Sequence, residues 1–245
     1  MVKRVTYENL LGVAKASLGQ ARLVRERLAS ITDKAAQRLV GEIDHFAPLV
    51  EQVIRQTKLR VLEGIAVPAE EKLVSLFETH TRIIRRGKAG HETEFGRKVW
   101  LDEVDGGIIS GYRVLQGNPV DASQAMPSLI HHQRLFGHPP RLFAADRGGY
   151  SPGNELAAQS AGVKRVVLPK PGGKSIQRKG HERQGWFRRG LRFRAGSEGR
   201  ISVLKRRGYL GRCRDRGEAG FGRWVGWGIL TANLTTIAQT IAARG

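Results

Sequence analysis

The sequence lacks the cysteines, the long apolar runs and the signal segment that are typical of secreted or membrane proteins. Its single cysteine, Cys213, excludes an internal disulfide and a zinc site built from cysteines. No hydrophobic run reaches the roughly 20 apolar residues that a membrane-spanning helix needs. The first residues are not followed by the apolar segment of a secretory signal. These absences predict a protein of a reducing compartment, and we expect it in the cytoplasm.

Acidic residues are scarce as well. Asp and Glu total 22 against 42 Lys and Arg, which gives a formal net charge of +20 at pH 7. A chain so basic repels itself unless its partner is a polyanion, so nucleic acid is the first candidate. An acidic membrane surface and a structural role on the ribosome are the alternatives. Hydrophobic residues make up 40% of the chain, which excludes a disordered basic tail.

The first part of the chain has the pattern of helices. Apolar residues recur every three to four positions between residues 16 and 63. Pro48 is expected to divide this stretch into two helices, because proline is tolerated near a helix start. The sequence Val67-Pro68 then breaks the pattern. We expect a helical segment over residues 1–66 and a larger domain over residues 67–245.

The pattern beyond this break is that of strands. Residues 72–77, 98–102 and 108–115 are predicted strands, and Asp105-Gly106-Gly107 is typical of a hairpin turn. Together they predict an antiparallel meander of three strands.

Helices and strands then alternate. Crossover helices place the strands that they connect parallel to a neighbour. The predicted fold is therefore α/β, a mixed sheet of a three-strand antiparallel meander plus parallel strands, flanked by helices. Predicted strands are residues 141–146 and 163–168; predicted helices are residues 121–136 with Asp121 as N-cap, residues 151–160 with Ser151 as N-cap, a helix that carries Glu198, and residues 218–243 with Trp224, Trp227, Ile229 and Leu230 on a buried face.

Asp146 ends a predicted strand, directly before Arg147-Gly148-Gly149. Functional groups collect at such strand ends in open α/β sheets, so this position favours a catalytic role. The alternative is a carboxylate that caps a tight turn, which is common.

Glu198 lies in the most basic part of the chain, where residues 174–216 hold fifteen Lys or Arg and three Asp or Glu. It can pair with Arg194 one helical turn earlier, or it can hold a metal ion where a polyanion binds. Two-metal phosphodiester chemistry needs several carboxylates around Mg²⁺ or Mn²⁺, and Asp146 and Glu198 can supply two. The basic side chains expected to neutralise phosphates are Arg188, Arg189, Arg194, Arg200, Lys205, Arg206 and Arg207.

Several segments together resemble the bacterial insertion-sequence transposases of the DDE class, of the ISNCY type. They occur in the family's order between about residue 50 and residue 235. The matching stretches are residues 72–81, 85–90, 94–99, 117–121, 145–148, 162–166 and 192–202.

This resemblance implies an RNase H-like catalytic core that cleaves insertion-sequence ends and transfers the strands into target DNA. It further implies two bound Mg²⁺ or Mn²⁺ ions, double-stranded DNA as the partner, and a homodimer on DNA. No membrane partner is expected, and the expected location is the bacterial cytoplasm, at the nucleoid. Relatives usually carry a helix-turn-helix region first, and residues 1–66 are expected to be the tail of such a region or a linker.

The resemblance also assigns roles to site residues. It implies that Asp146 is the second catalytic acid and Glu198 the third. The family's spacing of Tyr, two residues, Arg, three residues, Glu, six residues and Lys is met by Arg194, Glu198 and Lys205, whereas Leu191 stands in place of the tyrosine.

The first catalytic acid is expected between residues 77 and 84, where Glu78 is the acidic residue and His80 and Arg82 stand at the positions most often acidic. Three hypotheses follow: Glu78 serves as the metal ligand, another acid such as Asp102 replaces it, or the ligand has been lost. In the third case the chain is an inactive DNA-binding remnant or a truncated transposase. A nuclease that hydrolyses DNA without joining strands is a further alternative.

Overall fold

The computed structural model describes residues 2–85, 93–206 and 210–244, except for the side chains of Val2, Lys3, Arg85 and Glu198. The described part is mixed α/β, mostly helical, with its strands in small sheets. It divides into two compact units, Met1–Arg97 and Lys98–Gly245. This division falls later in the chain than the boundary predicted at residue 66.

Two long helices form most of the first unit. Helix α1 spans Val2–Leu28, α2 spans Lys34–Thr57, and a π-helical turn, Lys58–Leu62, continues α2. The Arg25 guanidinium of α1 lies 3.0 Å from the Asp44 carboxylate of α2. This ion pair lowers the pKa of Asp44 and helps to join the two helices.

The chain breaks between the helices at Asp33, not at Pro48. The Asp33 carboxylate accepts hydrogen bonds from the N–H groups of Ala35 and Ala36, at 2.8 and 3.1 Å, and so caps α2. Pro48 lies inside α2, and the prediction that it divides the segment was wrong. Packing of α2 against α1 compensates for the one backbone hydrogen bond that a proline removes.

The predicted strand at residues 72–77 is not formed. The Gln56 side-chain amide donates to the Leu73 carbonyl at 2.8 Å and accepts from the Leu73 N–H at 3.0 Å. These are the backbone groups that a strand would offer to a neighbour, so a side chain has taken the place of the sheet. The strands of the first unit lie further along: β1, Arg82–Arg85, pairs antiparallel with β2, Thr93–Gly96.

An antiparallel hairpin opens the second unit. Its strands are β3, Val99–Val104, and β4, Ile108–Val114. Gly106 and Gly107 in the turn both have φ of +78°, a conformation that favours glycine, and the predicted hairpin is confirmed. Among the described strands, however, no third strand extends this pair, so the predicted three-strand meander was wrong.

A parallel pair follows, β5, Leu142–Ala144, with β6, Arg165–Val167. The prediction of parallel strands joined through a crossover helix is confirmed. The described strands thus form three two-stranded sheets, and the single mixed sheet that we expected is not seen among them.

Five helices complete the described part of the second unit. The predicted helices are confirmed, including the N-cap of α4, where the Ser151 hydroxyl accepts the Asn154 N–H at 3.0 Å. Helix α5 was missed because its sequence is strongly basic. The bounds are α3 Ala122–Phe136, α4 Pro152–Ser160, α5 Ile176–Arg183, α6 Gly185–Arg206 and α7 Gly217–Ala242.

Apolar side chains gather in two clusters in this unit. One surrounds β5 and β6, and the other lies between the hairpin, α6 and α7. The members are Leu129, Ala145, Ala158, Val163, Val166 and Leu168 in the first, and Ile109, Leu204, Val225 and Ile229 in the second.

Helix α7 turns Val225 and Ile229 inward, with 0% and 6% exposure, and Trp224 packs against them. The prediction that Trp227 and Leu230 are buried was wrong, since they are 67% and 46% exposed. Of the described helices, none is both long and apolar enough to cross a membrane.

Helix α6 approaches the parallel pair closely because of a glycine. A Cβ atom at Gly190 would lie 2.6 Å from Cγ2 of Val167, inside van der Waals contact. Phe187, one turn earlier on α6, is fully buried. The basic helix is thereby fixed against β5 and β6, next to the strand end that carries Asp146.

Candidate functional site

Asp146 lies just beyond the end of β5, and both of its carboxylate oxygens have partners. Oδ1 accepts the Gly149 N–H at 3.2 Å, so the residue does cap a tight turn, as the alternative interpretation proposed. Oδ2 accepts a hydrogen bond from Nη2 of Arg194, also at 3.2 Å. The side chain is nevertheless 41% exposed, which leaves it accessible to a ligand.

Arg194 connects this strand end to α6. Glu198 lies on the same helix, four residues after Arg194, and its side chain is outside the described part of the chain. Helix α6 packs against β5 and β6. Two of the predicted site residues, Asp146 and Arg194, are therefore in direct contact, and the segment that carries Glu198 belongs to the same packed layer.

The carboxylate of Asp121 also lies near Asp146, and its sequence position did not predict a place in the site. A Cβ atom at Gly148 would lie 2.8 Å from Oδ2 of Asp121 and 3.2 Å from Oδ1 of Asp146, so both carboxylates flank this glycine. Asp121 makes no side-chain cap to α3, contrary to the prediction. It pairs with Lys98 Nζ at 2.9 Å. The signal that could have found it was its place in the matching stretch of residues 117–121.

Glu78, the first candidate for the missing acid, belongs to the first unit. Its carboxylate Oε2 lies 3.4 Å from Nδ1 of His80, and its N–H donates to the Ser75 hydroxyl. The Glu78 side chain is 31% exposed. Arg82 is the first residue of β1, opposite Gly96.

Asp102, the other candidate, is enclosed by hydrogen bonds. Its carboxylate accepts from Nη1 of Arg113 at 3.0 Å, from Nε1 of Trp100 at 3.0 Å and from the Ser128 hydroxyl at 2.5 Å. Its side chain is only 13% exposed. The residue ties the hairpin to α3, and this set of donors leaves little room for a metal ion.

The described side chains do not form a complete metal site. Within the described ranges, no group of three His, Cys, Asp or Glu side chains is close enough to hold a metal ion. Two-metal chemistry needs several converging carboxylates, and Asp146 already receives the Arg194 cation. The described side chains alone therefore do not supply all the ligands that two divalent ions need, and the side chain of Glu198 lies outside them.

Exposed arginines line the first half of α6. Arg188, Arg189 and Arg192 border a surface pocket of about 560 Å³, together with Gly185 and Leu191. The spacing places these guanidinium groups on adjacent turns of one helix. Planar guanidinium groups bind phosphate oxygens in pairs, so this surface suits a phosphate backbone. Arg192 was not among the predicted contacts.

The other predicted phosphate contacts differ in their environment. Arg200 binds Glu103 of β3 through two hydrogen bonds, of 2.9 and 2.6 Å, which raise the pKa of Arg200. Its partner Glu103 is only 8% exposed, so Arg200 is engaged within the fold. Lys205 and Arg206 are exposed at the end of α6, and Arg207 lies outside the described residues.

The basic segment before α6 is held in place by the partly buried carboxylate of Glu182. Glu182 accepts from the Lys170 N–H at 2.9 Å, from Nε of Arg178 at 2.8 Å and from Nζ of Lys174. Burial alone would raise the pKa of Glu182, but these hydrogen bonds outweigh it and lower the pKa to about 2. Arg178 also binds Glu155, 2.7 Å away on α4. These pairs fix α5 to the core.

Comparison of the chain with protein-family models, with curated proteins and with solved structures gave no match.

Proposed function

We propose that this protein is a DNA transposase of the DDE class, with an RNase H-like core, which cleaves insertion-sequence ends and transfers the strands into target DNA. One observation carries the proposal: the strand-end acid Asp146 is hydrogen-bonded to Arg194 of α6, the helix on which Glu198 follows one turn later. Asp146 and Glu198 are the second and third catalytic acids that the sequence resemblance implies. Their elements pack against each other, as a shared site requires.

Double-stranded DNA is the proposed partner, in the bacterial nucleoid. The net charge of +20 and the exposed row of Arg188, Arg189 and Arg192 favour contacts with phosphates over contacts with bases. Each phosphate contact releases counterions from DNA. Affinity should therefore fall steeply as the salt concentration rises.

The proposed cofactor is Mg²⁺ or Mn²⁺, which would activate the attacking water or 3′-hydroxyl. Asp146 and Glu198 are the proposed ligands, with Glu78 as the proposed first acid. Asp121 is a further acid to test, because its carboxylate flanks Gly148 together with that of Asp146.

A second candidate function is that of an inactive DNA-binding remnant of a transposase. One observation favours it. Arg82 is the first residue of β1, at a position where the family resemblance leads us to expect an acid. Such a protein would bind DNA through the same arginines without cutting it.

A nicking assay on supercoiled plasmid separates the two functions. The full chain is incubated with Mg²⁺ or Mn²⁺, and with EDTA as the metal-free control. The proposal expects metal-dependent nicking that is lost in Asp146→Ala and in Glu198→Gln, with DNA binding retained. Asp215→Ala, which removes an exposed acid outside the site, is the matched control and should nick normally. Donor-end oligonucleotides then test for strand-transfer products, which a simple nuclease would not give.

DNA binding without nicking, in the wild-type chain, would establish the remnant and overturn the transposase proposal. Binding itself is tested with Arg188→Ala/Arg189→Ala, which should lower affinity and reduce the salt slope by about two. Arg4→Ala/Arg38→Ala removes the same charge from α1 and α2 and serves as the control. Equal effects of the two variants would mean that the arginines of α6 are not the DNA surface.

A further inference from the structure

Helix α7 carries an exposed apolar stripe at alternating spacings of three and four residues. This is the heptad spacing with which paired helices interlock side chains. The members of this α7 stripe, with their exposed fractions, are Trp227 67%, Leu230 46%, Leu234 57%, Ile237 46% and Ile241 67%.

The rotation of α7 about its own axis is fixed from its other side. Val225 and Ile229 are buried in the cluster that includes Ile109. Asn233 also binds the Ile109 backbone twice, donating to the carbonyl and accepting from the N–H, each at 2.9 Å. With this face held by the hairpin, the α7 stripe is left exposed.

Charge distribution favours a second copy of this chain as the occupant of the stripe. Residues 224–243 contain no Asp, Glu, Lys, Arg or His, and they form the longest such run in a chain with net charge +20. Two copies repel each other through most of their surfaces, over about 8 Å at physiological salt. The neutral stretch of α7 is where they can approach at the lowest electrostatic cost.

The same absence of charge argues against a lipid surface. Helices that lie on membranes carry Lys and Arg on the polar face, where they attract anionic headgroups. Helix α7 has no basic residue after Arg223. A membrane would thus gain no electrostatic attraction from the stripe.

The exposed area of the stripe is sufficient for a small homodimer. A buried aromatic side chain such as Trp227 covers about 150–250 Å² and the four aliphatic members cover less, so five side chains that are about half exposed offer roughly 500 Å² in each copy. A specific interface needs about 1,000 Å² in total, which two stripes together supply. An interface near this minimum size is expected to associate weakly and reversibly, with an affinity set by how well the side chains pack and not by the area alone.

We propose that the α7 stripe is a self-association surface, which pairs with the α7 stripe of a second copy around a two-fold axis. The same patch then serves both copies, as closed dimers require. This dimer forms without DNA and does not depend on the proposed transposase activity, so either proposal can fail alone.

Sedimentation equilibrium of the full chain without DNA tests the proposal. We expect a monomer–dimer equilibrium that Leu234→Glu weakens by about tenfold or more, because two carboxylates would then face each other at the centre of the interface. Gln239→Glu adds the same charge to an exposed position on another side of α7 and should leave the equilibrium unchanged. Added salt should strengthen the dimer by screening repulsion, whereas it weakens DNA binding.

Cross-linking provides a test that does not depend on a destabilising charge. In a Cys213→Ser background, Leu234→Cys should form a disulfide between copies under mild oxidation, and Gln239→Cys should not. A monomer at all concentrations, or equal behaviour of the two cysteine variants, would overturn the proposal. The stripe would then be covered by another part of this chain or by a different protein.

Discussion

The Asp146 carboxylate lies 3.2 Å from Nη2 of Arg194, so that the end of β5 is joined to α6 by an ion pair. The side chains are 41% and 23% exposed. Pairs of this exposure are screened by solvent and stabilise a fold by about 1 kcal/mol or less. The contact therefore orients Asp146 more than it stabilises the protein.

The first prediction concerns this pair. Arg194→Ala should lower the free energy of unfolding by at most about 1 kcal/mol, measured by urea denaturation. Arg192→Ala, an exposed neighbour on the same helix, is the control and should change it less. A loss of about 3 kcal/mol or more would show that the pair is shielded from water, contrary to its exposure.

Arg200→Ala is expected to lower the free energy of unfolding more than Arg194→Ala does. Its partner Glu103 is 8% exposed, and Arg200→Ala would leave that carboxylate buried without its cation. We expect the free energy of unfolding to fall by about 2–3 kcal/mol in thermal or urea unfolding. In a Glu103→Gln background, Arg200→Ala should lower the free energy of unfolding by less, because the buried carboxylate that Arg200 compensates is no longer present. Equal costs in both backgrounds would refute a coupled pair.

Acid stability should depend on Glu182. Its pKa is about 2 in the folded chain against the ordinary 4.5, so its contribution is complete above pH 4.5 and is lost as the pH falls through 2. The contribution at neutral pH is on the order of 3 kcal/mol. Glu182→Gln should lower stability at pH 7 and flatten its dependence between pH 5 and 2, as followed by circular dichroism. An unchanged pH profile would contradict the assignment.

The closeness of α6 to β6 can be tested at two glycines of one helix. Gly190→Ala should lower the free energy of unfolding by about 1–3 kcal/mol, because its Cβ would lie 2.6 Å from Val167. Nothing lies within 4 Å of a Cβ at Gly196, so Gly196→Ala should raise it by up to about 1 kcal/mol. Chemical denaturation of both variants gives the comparison. Stabilisation by Gly190→Ala would mean that the helix is not in contact there.

Local sequence signals predicted most of the second unit. The hairpin followed from Asp105-Gly106-Gly107, and α4 followed from its cap Ser151. Such features are decided by residues close in sequence. The failures depended on distant partners: the strand at residues 72–77 was displaced by a glutamine of α2, and Trp227 is exposed because α7 turns another face to the hairpin.

The candidate site was less predictable than the fold. Sequence spacing indicated Asp146 and the basic helix, and the matched segments indicated Glu198. The sequence did not predict that Arg194 binds Asp146 or that Arg200 binds Glu103. Ion-pair partners depend on how β3, β5 and α6 pack. Asp121 was interpreted as a helix cap, since Asp is one of the residues preferred at the N-cap of a helix.

Two side-chain amides each hydrogen-bond to both the N–H and the carbonyl of one residue. Gln56 binds the N–H and the carbonyl of Leu73, and Asn233 binds those of Ile109. Each amide imitates one peptide unit of a missing neighbour strand. An extended segment with unpaired N–H and carbonyl groups invites another chain to add a strand, which is how aggregation and domain swapping begin. By occupying these groups, the two amides leave the backbone of Leu73 and Ile109 less able to pair with a strand of another chain.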